Sequence, residues 1–346
     1  MGGVCHVTQC QAEGHILALP DSSPTHSITS RELPVSISPY QHPFKQPLKT
    51  HHGVWSVRAG ILLQLTDAIG RVAWGEIAPL SGFGSETLEQ ALCFCQQLPP
   101  QINQEIITTI PNTLPACQFG FESAWEALNP SQPETVSAVP LSYSGLLSAG
   151  ELALNQWPDL FRQGYRTFKW KIAVAPIAEE LEILDRLIQG MKSPGLDLKL
   201  RLDANGGLTF SQAQEWLRVG DGCNRGASVQ LEFLEQPLPP REFEELLALG
   251  SSYRTPIALD ESVATLSQLQ ACYARGWRGI FVIKPAIAGS PSQLRQFCKT
   301  HRIDGVFSSV FETSIGRNAI LKLAQELSNP QRAIGFGVSH WLEVDP

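Results

Sequence analysis

The sequence predicts an α/β protein, a (β/α) barrel behind a smaller N-terminal α+β capping domain, and three observations carry that prediction. The first is a regular series of charged or polar residues closing apolar runs: Lys171 in TFKWKI, Asp203 in LKLRLD, Glu235 in LEFLE, Asp260 in PIALD, Lys284 in IFVIK and Ser308 in GVFS, spaced 24 to 32 residues apart. One strand, one helix and two short loops take about that many residues. The second is helical periodicity between those runs, as in Ile177, Leu181, Leu184 and Ile188 after Pro176. The third is an alternating, strand-rich stretch that precedes all of this, from Leu33 to Ile77. A doubly wound sheet would also alternate strand and helix, but it does not explain functional groups ending so many consecutive strands. The prediction is therefore a modified TIM-type barrel.

Taken in order, residues 1–30 are rich in Ser, Thr, Gly and His and lack periodic pattern, which predicts a poorly ordered extension. Cys5, His6 and Cys10 lie there without a fourth ligand at a recognisable spacing. Residues 31–130 form the expected capping domain, to which the tail 326–346 is expected to return. Its strands are Leu33–Ser38, Val54–Leu65 and Val72–Ile77, the last two joined by a turn at Asp67–Gly70. The stretch GEIAPLSGFGSET then places Ser81, Gly82, Phe83 and Gly84 in a flexible loop. It lacks the Lys-Ser/Thr ending of a phosphate-binding loop, so it reads as a lid. Helices follow from Ser85 and over Ala116–Leu128, and the Pro-rich NPSQPETVSAVP is the linker into the barrel, residues 131–325. Val139–Ser144 is the first expected barrel strand. Ser211 with Gln214 has the spacing of a capping box before Trp216 and Leu217, and Ser290-Pro291 opens a further helix.

Composition narrows the function. The chain has 346 residues, a net charge of −7 and no basic run, which excludes a nucleic-acid or anionic-membrane partner and leaves a small molecule. The eight cysteines contain no CxxC pair, so reduced thiols and a cytoplasmic location are expected. No apolar run reaches the roughly 20 residues a membrane-spanning helix needs, and the N-terminal stretch lacks a signal-peptide pattern.

The chemistry lies in the strand-end residues. Asp203, Glu235 and Asp260 end neighbouring strands. Three carboxylates so gathered repel one another unless a cation holds them, and an all-oxygen set selects a hard ion such as Mg²⁺. Lys171 and Lys284 flank that set inside apolar runs, where burial lowers a lysine's pKa and makes it a base near neutral pH. Lys169, on the same strand face as Lys171, adds a like charge. A base beside a divalent cation suits removal of a proton next to a carboxylate. No histidine falls near an expected strand end, which argues against a zinc hydrolase and against a histidine base.

With GEIAPLSGFGSET, KWK, RLDANG, FLEQPL, ALDES, VIKP and SSVFETSIG in this order over roughly Pro34 to Gly337, the chain resembles the enolase superfamily in its muconate-lactonising subgroup. The resemblance implies a barrel of seven or eight βα units behind a cap. It implies Lys171 as the catalytic base that also returns the proton to the leaving hydroxyl, and Lys284 as the cation that stabilises an enediolate. Asp203, Glu235 and Asp260 match its Mg²⁺ ligands, and Lys169, Arg201 and Asn205 its accompanying polar residues. Ser308 and Ser309 stand where the substrate carboxylate is held, and Ser81–Thr87 resembles the lid. The implied reaction is dehydration of 2-succinyl-6-hydroxy-2,4-cyclohexadiene-1-carboxylate to 2-succinylbenzoate, a step towards menaquinone or phylloquinone. N-succinylamino acid racemisation by the two lysines is the alternative. Dipeptide epimerisation is disfavoured because SSVFETSIG has no Asp-x-Asp, and a non-catalytic scaffold because every expected charged position is filled.

Overall fold

The structure, a computed structural model, describes residues 31–50, 53–129, 140–192, 197–223 and 229–337. The expected N-terminal extension with Cys5, His6 and Cys10, most of the Pro-rich linker, and the last nine residues of the tail lie outside the described residues.

The capping domain is an antiparallel meander of β1 (Leu33–Thr50), β2 (Gly53–Thr66) and β3 (Val72–Ile77). Helix α1 (Leu88–Gln97), the short β4 (Gln101–Ile102), α2 (Gln104–Thr108) and α3 (Pro115–Leu128) follow, and the sheet order is β3-β2-β1-β4. β1 carries Pro34, Pro39 and Pro43 yet remains a strand, because past Val35, whose N–H donates to the Pro100 carbonyl, only its β2 side is paired, and an unpaired edge tolerates residues without an N–H. Alternation puts Ile61, Leu63 and Leu65 on the face covered by the helices, all fully buried, each contributing about 1.5–3 kcal/mol. Gly75 lets β3 touch α3: a Cβ there would lie 2.1 Å from the Gly120 carbonyl oxygen.

The barrel runs β5 (Tyr143–Leu147), α4 (Leu152–Arg162), β6 (Thr167–Lys171), α5 (Ile177–Met191), β7 (Leu198–Asp203), α6 (Phe210–Cys223), β8 (Val229–Glu235), α7 (Phe243–Ser252), β9 (Ile257–Leu259), α8 (Leu266–Ala274), β10 (Ile280–Ile283), α9 (Pro285–Ala288), α10 (Pro291–His301), β11 (Gly305–Phe307), α11 (Ser314–Leu327) and β12 (Ile334–Gly337). The paired strands are parallel, in the order β11-β10-β9-β8-β7-β6-β5-β12. A bridge between Ser308 and Gly335, with the Ser309 N–H donating to the Gly335 carbonyl at 3.1 Å, brings the two ends of the sheet together.

Two expectations are corrected here. Ile334–Gly337, assigned by sequence to the capping domain, is β12 and pairs with β5, because closing the ring needs one more parallel strand beside the first. The cap of α6 is not Ser211 with Gln214: Thr209 Oγ1 accepts from the Gln212 N–H at 3.3 Å, and Gln212 Oε1 accepts from the Thr209 N–H at 2.9 Å. Both pairs share the three-residue spacing, and the backbone turns helical two residues earlier. The helix opened by Ser290-Pro291 is found as expected, with Ser290 Oγ accepting from the Gln293 N–H.

Candidate active site

Strand register assembles the site. Lys171 pairs with Asp203 and Asp203 with Glu235, so three of the expected site residues stand in one row at the C-terminal ends of β6, β7 and β8. A bulge makes that row. Leu200 pairs with Leu231 but Arg201 with Phe233, leaving Glu232 as the extra residue. Without it Asp203 would pair with Leu234, and Glu235 would turn to the opposite face. Asp260 directly follows β9, and Lys284 directly follows β10.

All three carboxylates are buried. Lys169 bridges Asp203, at 2.8 Å, and Glu235, at 2.6 Å, while Lys284 pairs with Asp260. Burial pushes the Asp203 carboxyl up, but Lys169 outweighs it and holds Asp203 below the usual range. For Glu235 burial and the neighbouring Asp203 prevail, lifting it to about 8, and burial lifts Asp260 to about 6 against the pull of Lys284. Burial disfavours the charge of Lys169, yet Asp203, Glu235 and Asp260 together raise its pKa, so it stays an ammonium. The Lys171 ammonium makes no hydrogen bond or ion pair among the described residues, although its charge reaches Asp203.

Among the described residues no group of three acidic, histidine or cysteine side chains is drawn up as a metal-holding cluster, since the two lysines engage the carboxylates instead. The donor set nevertheless fits a hard dication. It is all carboxylate oxygen, it is buried, and burial holds two of its members above their ordinary pKa, a cost that a bound cation would offset.

The loop expected to act as a lid is a 3₁₀ turn, Ser81–Phe83, closed by Gly84 in the left-handed region at φ 115°. The Phe83 ring centre lies 4.0 Å from Lys284 Nζ, so the cap reaches the strand-end cluster through an aromatic face. Arg58 donates to the Ala78 and Pro79 carbonyls before the lid, and Glu86 accepts from the Ala116 and Cys117 N–H groups after it.

The other sequence-expected residues are placed differently. Arg201 is buried one alternation below Asp203, where Nε donates to Glu232 at 2.7 Å and Nη2 to the Ala333 carbonyl. It is committed to the barrel interior and not to the strand-end row. Asn205, at φ 44°, donates from Nδ2 to Glu261 Oε1 at 2.9 Å and from its backbone N–H to Asp203. Ser308 and Ser309 stand at the end of β11 with their hydroxyl protons already given, Ser308 to the Gly335 carbonyl and Ser309 to Glu312.

Sequence reasoning missed Gln236. Fully buried at φ 36°, it accepts from the Asp260 and Ser262 N–H groups through Oε1 and donates to Ser262 Oγ through Nε2. It thereby ties the end of β8 to Asp260. Its signal was its place directly after Glu235. Glu261, directly after Asp260, was visible in the same way.

A closed parallel barrel with a capping sheet, and with lysines and carboxylates at its strand ends, defines an enolase-type barrel protein. Two family models match: "Enolase C-terminal domain-like" over residues 154–345 and "MenC, N-terminal domain" over residues 34–128. The chain is 44% identical over 306 residues to an o-succinylbenzoate synthase of Thermosynechococcus vestitus, covering 87% of this chain and 91% of that one. A relative of that name from Pasteurella multocida is 30% identical over 83% of this chain and 84% of its own. The crystal structure of o-succinylbenzoate synthase from Thermosynechococcus elongatus BP-1, complexed with Mg in the active site, superposes with a TM-score of 0.82 at 42% identity, covering 91% of this chain and 95% of that one. The L-Ala-D/L-Glu epimerase from Bacillus subtilis shares the fold, with a TM-score of 0.76 at 20% identity over 91% and 92% of the two chains. The chain belongs to the enolase superfamily and, within it, to the o-succinylbenzoate synthase family.

Proposed function

We propose that this chain is a hydro-lyase that converts 2-succinyl-6-hydroxy-2,4-cyclohexadiene-1-carboxylate to 2-succinylbenzoate, in the route to menaquinone or phylloquinone. The observation that carries the reading is the 44% identity to an o-succinylbenzoate synthase along 87% of the chain. A cytoplasmic setting is part of the proposal: the six described cysteines are free, and among the described residues no helix is long and apolar enough to cross a membrane.

Lys171 is the base. Its ammonium is not tied to a carboxylate, whereas Lys169 and Lys284 are, so it is free to give up and regain a proton at Nζ. It removes the proton next to the substrate carboxylate and returns it to the departing hydroxyl. Lys284 lends positive charge to the enediolate as it develops, and Phe83 above it excludes water. Asp203, Glu235 and Asp260 would hold Mg²⁺, which when bound supplies Lewis-acid stabilisation of charge on the substrate carboxylate. Lys169 stays charged and keeps Asp203 and Glu235 turned to one another. Gln236 and Asn205 fix the backbone and the neighbour of that set. Aromatisation of the product makes the elimination downhill.

The test follows loss of the cyclohexadiene absorbance on purified protein with Mg²⁺ and with excess chelator. Turnover that the chelator abolishes is expected. Absence of turnover in the presence of Mg²⁺ overturns the assignment and transfers the question to N-succinylamino acids.

A further inference from the structure

The cap contributes a buried carboxylate that the chemistry above does not use. Glu76, near the end of β3, is 1% exposed and lies against the start of α11. It accepts hydrogen bonds from the Thr313 N–H (2.9 Å), the Thr313 hydroxyl (2.6 Å) and the Gly316 N–H (2.9 Å), and from the Tyr40 hydroxyl of β1. A buried carboxylate so satisfied at a helix N-terminus is held by both hydrogen bonds and helix dipole. Gly316 leaves room for the carboxylate, since a Cβ there would lie 2.6 Å from Glu76 Oε2 and displace it. Burial, then the Glu76 charge, pushes the Tyr40 phenol well above its ordinary value, so it remains a donor.

What the clamp fixes is the segment between β11 and α11. Phe311 occupies the left-handed region at φ 61°, a strained conformation for an aromatic residue that persists only where its surroundings enforce it. Its N–H donates to Ser309 Oγ, and Glu312 turns back to accept from Ser309 Oγ and the Val310 N–H. Its ring meets Phe44 of β1 edge to face, with centroids 5.3 Å apart. The segment leaves the C-terminal end of a barrel strand, where substrates bind. Because the Ser309 hydroxyl is spent on Glu312, the shape of the segment, more than a free serine donor, is what it offers a ligand.

We propose that Glu76 is a positioning residue for substrate recognition: from the capping sheet it clamps the N-terminus of α11 and so holds the Ser308–Glu312 segment in its strained, ligand-accepting shape. The proposal rests on the reaction assigned above. Tyr40 supports it by anchoring the carboxylate from the other side. The cap thus acts on the barrel through this contact as well as through the lid.

The test compares wild type, Glu76→Gln and Tyr40→Phe by steady-state kinetics, by calorimetric titration with 2-succinylbenzoate and with Mg²⁺, and by amide hydrogen exchange. For Glu76→Gln the expected result is a KM raised about tenfold, with product affinity weakened in parallel and kcat changed less than about threefold. Mg²⁺ affinity is expected to be unchanged, and exchange at Val310–Thr313 to be faster. Tyr40→Phe, which removes only one donor, is expected to move KM the same way by a smaller factor and keeps the test open should Glu76→Gln fail to fold. Variants with wild-type KM and product affinity overturn the proposal, even if they melt earlier. So does a loss confined to kcat or to Mg²⁺ affinity. A wild-type chain that binds 2-succinylbenzoate but does not form it overturns the assigned reaction while leaving the clamp to be judged by product affinity and exchange.

Discussion

Strand β7 runs through two buried charge clusters that share its backbone and differ in their balance. At Arg201 every carboxylate is held by a guanidinium. Glu232 receives Arg201 at 2.7 Å and Arg332 at 3.1 Å, Arg332 also holds Asp304 at 2.7 Å, and the Arg201 guanidinium lies 4.8 Å from the centre of the Phe233 ring. Burial pushes the Asp304 carboxyl up, but Arg332 and Asn329 outweigh it and hold it below its ordinary range. Two residues further on, at Asp203, the account stays open: Glu235 rises to about 8 and Asp260 to about 6, and Lys171 has no ion-pair partner among the described residues. Guanidiniums, planar and always charged, dominate the first cluster, with Lys199 3.7 Å from Glu232 beside them, whereas the cations beside the carboxylates of the second are lysines. A cluster whose carboxylates are each held by a guanidinium ties the strands together, and one whose carboxylates are buried beyond what its lysines offset has room for a further cation.

Substitutions in the two clusters should therefore separate activity from stability. The largest effect belongs to Lys171→Ala, expected to lower kcat by about 10³-fold or more while leaving Tm and Mg²⁺ affinity close to wild type. Substantial remaining activity would remove Lys171 from its role. Arg201→Ala comes next. Glu232 keeps Arg332 and the more distant Lys199, so the loss should stay below the about 3–5 kcal/mol of a fully unpaired buried charge, to be read in denaturant unfolding, with KM near the wild-type value below the new transition. A raised KM without loss of stability would return Arg201 to the substrate-holding residues and erase the contrast.

The smallest effect is a matter of protons. A carboxyl raised to about 8 carries its proton at pH 7, and a metal takes only the ionised form. Mg²⁺ binding at pH 7 should then release about one proton, chiefly from Glu235. Affinity should climb as pH rises from about 6, where Asp260 also competes, and level off only above about 8, where Glu235 passes its half-ionised point. Calorimetry in two buffers of different ionisation enthalpy measures that release. A heat independent of buffer would mean the open cluster is as balanced as the closed one.

Much of this was legible in the sequence because strands declare their ends. Lys171, Asp203, Glu235, Asp260 and Lys284 each close an apolar run, so residue type and spacing reveal them without knowledge of any contact. Arg201 was misplaced for the same reason. It shares a strand face with Asp203, and only the bulge at Glu232 and the approach of Arg332, 131 positions further along the chain, show where its charge is spent. The Ser211–Gln214 spacing was as good a capping box as Thr209–Gln212, and the backbone chose between them.

By itself, then, the sequence determined the alternation of strand and helix, the capping meander, and the chemical types standing at the strand ends, since these depend on local periodicity. Tertiary structure decided which of those residues share a row, through one extra residue in β8. It decided that Ile334–Gly337 closes the barrel beside β5, and that Glu76 of the cap meets Thr313 of the barrel. Register, ring closure and contacts between distant segments are set by the fit of whole elements against one another, and no local pattern encodes that fit.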